Sequence, residues 1–100
     1  MILTIDTSDK QQVVVSIKGG RAVIKLASNN EWGSQVLLAL ILKALTKQSI
    51  DFKDLKAIEL NIGPGSYTGL RVGAAVANAL GFALQIPVNG KDSAVELIYT

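Results

Sequence analysis

A glycine-rich stretch at residues 63–73, GPGSYTGLRVG, constrains the fold of this 100-residue chain more than any other feature. It follows an apolar run at residues 57–62, which predicts a buried strand. It precedes an alanine-rich run at residues 72–84, which predicts a helix. A glycine-rich turn between a strand and a helix is typical of α/β proteins, where it holds either an anion or a neighbouring backbone segment. The stretch therefore predicts an α/β fold.

Strand and helix signals along the whole chain follow the order strand, strand, strand, helix, strand, helix, strand, helix. The first three runs are apolar and joined by short turns, including Gly19-Gly20, so they predict an antiparallel meander. Each later strand is reached through a helix, which predicts parallel pairing. The predicted strands span residues 1–5, 11–18, 21–27, 57–62 and 86–88, and the predicted helices span 34–47, 68–84 and 91–99, with a short helical turn at 51–54.

This order predicts a mixed five-stranded sheet flanked by helices, as in ribonuclease-H-like folds and in one half of the actin-like ATPases. Ser34 is the expected N-cap of the first helix, and Asp92 or Ser93 that of the last. Gly73 and Gly81 lie inside the second helix, where each costs roughly 1 kcal/mol relative to alanine. Both glycines therefore predict a close packing contact.

The composition excludes several classes of function. The chain has no cysteine and no histidine, which removes disulfides, thiolate metal sites, the commonest general base and the commonest metal ligand. The net charge of +2 is mild, and no run of basic residues forms a nucleic-acid stripe. The longest apolar run, residues 36–42, is shorter than the roughly 20 residues of a membrane span, and the N-terminus lacks a signal peptide pattern. We expect a cytoplasmic protein of one domain without a metal site.

Two motifs together closely resemble the TsaB family, whose members are also known as YeaZ or glycoprotease-like proteins. The motifs are Asp6-Thr7-Ser8, which closes the first predicted strand, and the glycine-rich stretch at residues 63–73. The resemblance covers the whole chain but only the first of two actin-like subdomains in a typical member. We therefore expect residues 1–100 to form a single N-terminal subdomain without the second, either as a natural short form or as a fragment.

The sequence departs from the TsaB family where the first helix opens. Family members usually carry a His-Ser-Glu-x-Leu-Leu-Pro-like stretch there. Gly33, Gln35 and Ala39 stand at the histidine, glutamate and proline positions of that stretch. Any role of the histidine or the glutamate is therefore absent from this chain.

The resemblance implies a non-catalytic partner subunit in the biosynthesis of N6-threonylcarbamoyladenosine on transfer RNA. TsaB-like proteins pair with the catalytic subunit TsaD through the two helices of the first subdomain, and they belong to a wider complex with the ATPase TsaE. The implied partners are thus a TsaD-type subunit, a TsaE-type ATPase in the wider complex, and a second copy of the chain when it is alone. No cofactor is implied, apart from ATP at an interface of the complex. Protease activity has no support, because no histidine or cysteine is present.

The two long helices are more apolar than one sheet face can bury. Apolar residues run nearly all round the first helix, and small residues of the second permit close packing. Either both helices are ordinary core, or they form a patch that pairs with a partner in a four-helix layer; we favour the patch. Trp32 lies either at the edge of this patch or in the hydrophobic core. The predicted partner interface comprises Trp32, Leu38, Leu42, Leu45, Ala75, Asn78, Ala79 and Phe82.

The role of the glycine-rich stretch has two interpretations. Its backbone N–H groups could cradle a phosphate, which would make the chain a small nucleotide- or anion-binding protein, although the Gly-Lys-Ser/Thr ending of a P-loop is absent. Alternatively it is a rigid turn, in which Pro64 fixes φ and either Thr68 or Ser66 caps the helix through its hydroxyl. Asp6 could bind a metal-bound nucleotide or cap its own loop, and Arg71 could hold an anion, form an ion pair or reach an interface. The candidate anion-binding residues are Asp6, Thr7, Ser8, Gly63, Gly65, Ser66, Thr68 and Arg71.

Overall fold

The computed structural model describes residues 1–9, 12–19, 24–29 and 34–91, which form a four-stranded mixed sheet and two long helices. The strands are β1 Ile2–Asp6, β2 Gln12–Lys18, β3 Ile24–Asn29 and β4 Ala57–Leu60. The helices are α1 Ser34–Lys47 and α2 Tyr67–Leu84, and a short 3-10 helix, Phe52–Asp54, precedes β4. The α/β class, the element order and both long helices agree with the sequence prediction.

The strands lie in the order β3-β2-β1-β4. β2 is antiparallel to both β1 and β3, as the predicted meander requires. β1 pairs with β4 in parallel, with Leu3 opposite Ile58. The crossover from the meander through α1 thus brings β4 beside β1, at the end of the four-stranded sheet.

The fifth strand predicted at residues 86–88 is present among the described residues only as an isolated parallel bridge between Val88 and Ile58. The backbone explains why it is so short. Pro87 has no N–H to donate, and Asn89 and Gly90 have positive φ angles of 53° and 77°. The N–H of Val88 donates to the carbonyl of Lys91 at 2.9 Å, so the chain turns directly after the bridge. The helix predicted from residue 91 onward, with its caps, lies outside the described residues.

The hydrophobic core lies between one face of the sheet and the two helices. Alternate residues of each strand point to this face. Those of β1 and β2 are all buried: Leu3, Ile5, Val13, Val15 and Ile17. α1 contributes Leu37, Ile41, Ala44 and Leu45, and α2 contributes Leu70, Ala74 and Ala77. Because α1 and α2 also contact each other, they form one layer whose outward side faces away from the sheet.

The opposite face of the sheet is polar. The Thr4 hydroxyl contacts the hydroxyl of Ser16, and Lys18 forms an exposed ion pair with Glu59 at 3.0 Å. An exposed ion pair of this kind contributes little to stability. Neither long helix of the described ranges has the length and apolarity that a membrane span requires.

Candidate functional site

The glycine-rich turn begins where β4 ends. Gly63 adopts a φ of +110°, which favours glycine, and its N–H donates to the side-chain oxygen of Asn61 at 2.9 Å. The Gly63–Pro64 peptide bond is cis. The helix then starts at Tyr67, with Ser66 as its N-cap: the Ser66 hydroxyl accepts from the N–H of Gly69 at 3.3 Å. Of the two predicted hydroxyl caps, Ser66 is therefore the one that caps α2.

The turn is fastened to the segment that follows β1. The N–H of Ser66 donates to the carbonyl of Ser8 at 2.7 Å. A Cβ atom added to Gly65 would lie 2.6 Å from the same carbonyl oxygen and 2.7 Å from the Ser8 Cβ. Such distances are too short for any side chain, so the turn and the end of β1 are in direct backbone contact. Gly65 is required by this close approach.

Asp6 organises the same segment from its other side. One carboxylate oxygen of Asp6 accepts from the N–H of Ser8 at 2.9 Å and from the Ser8 hydroxyl at 2.6 Å. Asn61, at the end of β4, donates to the Ser8 hydroxyl at 3.3 Å. Asp6 therefore closes its own loop, which is one of the two roles that the sequence left open. Asn61 was not among the predicted residues; its signal is a polar residue placed directly after a buried strand.

Thr7 connects this loop to the middle of α2. Thr7 is fully buried, and a Cβ atom added to Gly73 would overlap its hydroxyl and lie 3.3 Å from Leu60. Gly81 is in a comparable position, because an added Cβ would lie 2.7 Å from a methyl group of Val88. The packing contact predicted for both helix glycines is therefore confirmed. The Thr7 hydroxyl has no hydrogen-bond partner within the described part of the chain.

Four N–H groups of the turn and of the start of α2 donate within the protein. The N–H of Gly63 donates to Asn61, and the N–H of Ser66 donates to Ser8. The N–H groups of Gly69 and Leu70 both donate to Ser66. An anion site of the cradle type depends on N–H groups that point to open space. The geometry therefore favours the rigid-turn interpretation. Within the described ranges, no group of three acidic side chains could hold a metal ion.

Arg71 lies on the exposed side of α2, one turn after the cap. Its guanidinium donates to the hydroxyl of Tyr67 at 3.1 Å and lies 5.4 Å from the centre of that ring. The pair lines a surface depression together with Thr68, Val72 and Ala75. Of the predicted anion-binding residues, Asp6, Thr7, Ser8, Gly63, Gly65 and Ser66 are brought together, whereas Thr68 and Arg71 lie on this outer surface.

The outward side of the helix layer carries large exposed apolar side chains. Leu38 and Leu42 of α1 are 42% and 54% exposed, and Phe82 of α2 is 88% exposed. Ala75 and Ala79 are also exposed on α2. Because α1 and α2 pack against each other over the same face of the sheet, these side chains belong to one helix layer. We call this surface the helix face, defined by Leu38, Leu42, Ala75, Ala79 and Phe82.

The prediction of the partner interface is wrong for one residue, Leu45. Leu45 is only 2% exposed and belongs to the core, one turn after Ile41 on the buried stripe of α1. It contacts the protein interior and is not available to a partner. Asn78 is partly buried beside the helix face, and Trp32 lies outside the described residues.

A family model described as TsaD: tRNA N6-adenosine threonylcarbamoyltransferase matches residues 9–100. The tRNA threonylcarbamoyladenosine biosynthesis protein TsaB of Buchnera aphidicola subsp. Schizaphis graminum is 35% identical over 92 residues, which are 90% of this chain and 43% of that protein. The tRNA N6-adenosine threonylcarbamoyltransferase of Nitrosospira multiformis is 44% identical over 71 residues, which are 71% of this chain and 20% of that protein.

A solved structure, YeaZ from Pseudomonas aeruginosa, matches with a TM-score of 0.80 at 28% identity and covers 87% of this chain and 41% of that one. The chain thus spans less than half the length of these relatives. The TsaB and YeaZ relatives confirm the resemblance carried by the sequence motifs. The chain belongs to the family of TsaD-type tRNA N6-adenosine threonylcarbamoyltransferase proteins, and its relatives there include TsaB.

Proposed function

We propose that the chain is a non-catalytic subunit that docks through its helix face onto a TsaD-type catalytic subunit in tRNA N6-threonylcarbamoyladenosine biosynthesis. The names of the relatives support the pathway: one is a TsaB biosynthesis protein and another a threonylcarbamoyltransferase. The observation that carries the docking surface is the 88% exposure of Phe82 on α2, together with the exposed Leu38 and Leu42 on the neighbouring helix α1. Clustered exposed apolar side chains on a small domain mark an interaction site.

The helix face has the composition of an interface centre. Fully burying a leucine or phenylalanine side chain contributes about 1.5–3 kcal/mol, so three such residues supply much of a stable interface. Between them, the exposed Ala75 and Ala79 leave room for a partner helix to approach the α2 backbone closely. A pair of helices from the partner would complete a four-helix layer. When no TsaD-type subunit is present, the same face pairs two copies of the chain.

The occupied polar groups support the non-catalytic assignment. Nucleophilic catalysis needs a nucleophile beside a general base, and the chain has no histidine or cysteine. The Ser66 hydroxyl caps α2, and the Asp6 carboxylate holds Ser8. Both side chains therefore have structural roles. The transfer chemistry is assigned to the TsaD-type subunit, and a TsaE-type ATPase belongs to the wider complex.

A pull-down with the cognate TsaD-type subunit tests this function. The wild-type chain is expected to retain the subunit, and Leu42→Glu is expected to weaken binding at least about tenfold, because it places a charge within the apolar contact. Gln12→Glu is the matched control: it introduces the same charge at an exposed position of β2, away from the helices. Circular dichroism checks that both variants fold. Failure of the wild-type chain to bind, or equal binding by both variants, would contradict the proposal.

A further inference from the structure

The charges of the two helices all have one sign. α1 carries Lys43 and Lys47, α2 carries Arg71, and neither helix contains an aspartate or a glutamate. All three cationic residues are exposed. The acidic residues within the described ranges lie outside both helices: Asp6, Asp9, Asp51, Asp54 and Glu59.

These cations border the apolar helix face. Lys43 directly follows Leu42 on α1, and Lys47 lies one turn further along the same exposed side. Arg71 lies one turn before Ala75 on α2, and its guanidinium is held against the Tyr67 ring at 5.4 Å from the ring centre. Residues one helical turn apart share a side of the helix. Within α1 and α2 as the structure describes them, the apolar helix face is therefore accompanied by exposed cations and by no carboxylate. We call Lys43, Lys47 and Arg71 its cationic rim.

We propose that the partner surface is apolar at its centre and acidic at its rim, and that the chain consequently binds a TsaD-type subunit more tightly than it binds a second copy of itself. This inference rests on the proposed function. In a pair of identical copies, cations from both helix layers approach one another, and juxtaposed like charges oppose association. Carboxylates opposite Lys43, Lys47 and Arg71 steer the encounter and are paired in the complex. Discrimination thus comes from repulsion in the self-pair as well as attraction to the partner.

The arrangement favours a protein over a nucleic acid as this partner. A phosphate backbone is held by clustered lysine and arginine side chains that follow a groove or a stripe. The described helices α1 and α2 carry three cations, and they also expose Leu38, Leu42 and Phe82, whose burial requires an apolar counterpart. Arg71 is preorganised by Tyr67, and an arginine fork matches the geometry of a carboxylate.

Association kinetics with the cognate TsaD-type subunit test the inference. The variant pair is Lys43→Glu/Lys47→Glu on α1 and the control Lys53→Glu/Lys56→Glu, which changes the net charge equally at exposed positions between α1 and β4. At about 50 mM NaCl the α1 variant is expected to lower the association rate constant about tenfold, and at about 500 mM the difference should largely vanish, because salt screens rim charges. The control should stay within about twofold of the wild type at both salt concentrations.

Different outcomes distinguish a failure of this inference from a failure of the proposed docking function. Equal association rates for the two variants, or a self-pair as tight as the complex at low salt, would overturn the acidic-partner inference while leaving the docking proposal intact. Selective loss of binding to unmodified tRNA by the α1 variant, with unchanged binding to the TsaD-type subunit, would assign the cations to RNA instead. No complex at either salt concentration would reject the proposed function, and the inference with it. Lys43→Gln/Lys47→Gln provides a milder variant, expected to show a smaller decrease, should the charge reversal impair folding.

Discussion

Thr7 and Gly73 show at the scale of single residues why the glycine-rich motif has its spacing. The buried Thr7 hydroxyl occupies the space where a side chain at Gly73 would begin, and Gly65 touches Ser8 in the same way. The motif thus lets α2 approach the segment after β1 at two successive points. Its role in this chain is close backbone packing, which sets the position of the helix.

Gly73→Ala is expected to lower the free energy of unfolding by up to about 2 kcal/mol, because an overpacking cost of about 1–3 kcal/mol at Thr7 outweighs the roughly 1 kcal/mol gained in helix propensity. Urea denaturation measures the change. In a Thr7→Ala background, where the overlapping hydroxyl is absent, the same substitution should cost clearly less. Ala79→Gly, at an exposed position of α2, is the control and should cost about 1 kcal/mol. A stabilising Gly73→Ala would refute the packing account.

The sequence left the capping residue of α2 open because Ser66 and Thr68 both carry suitable hydroxyls. The choice depends on a contact across 58 residues of chain: the N–H of Ser66 donates to the Ser8 carbonyl, which fixes where the helix starts. The pairing of Asn61 with Ser8 was missed for the same reason. Local patterns identify candidate residues, whereas the contacts that select among them come from the tertiary structure.

At the scale of elements, α1 could be predicted from its length and composition, with bounds that agree with the structure. Its buried side could not be read from the sequence, because apolar residues surround most of the helix. Leu42 and Leu45 look alike in the sequence, yet Leu42 is 54% exposed and Leu45 is 2% exposed. Packing against the sheet decides which of them belongs to the core. The length of the fifth strand was overestimated from the sequence. Pro87 and the turn after Val88 restrict its pairing with β4, among the described residues, to a single bridge.

Leu45→Glu and Leu42→Glu should therefore differ in their effect on the stability of the fold. The glutamate at position 45 would place a charge within the core and is expected to destabilise the fold by at least about 3 kcal/mol, a large fraction of the roughly 5–15 kcal/mol that stabilises a small domain. At position 42 the same substitution leaves the core intact and should change the stability by less than about 1 kcal/mol. Thermal unfolding followed by circular dichroism compares the two variants. Equal losses of stability would contradict the assignment of Leu42 to the helix face.

At the scale of the whole molecule, the two faces of the sheet differ in what they offer a partner. One face is covered by the helix layer, whose outer side is apolar with a cationic rim. The other face is polar and includes the exposed Lys18–Glu59 ion pair. The chain spans less than half the length of these relatives.

Amide hydrogen exchange with and without the cognate TsaD-type subunit tests the central claim most directly. We expect slower exchange in peptides from α1 and α2 on complex formation, and unchanged exchange in peptides from the glycine-rich turn and from the segment after β1. Protection confined to that turn and that segment, with α1 and α2 unchanged, would contradict the claim that this chain docks through its helices.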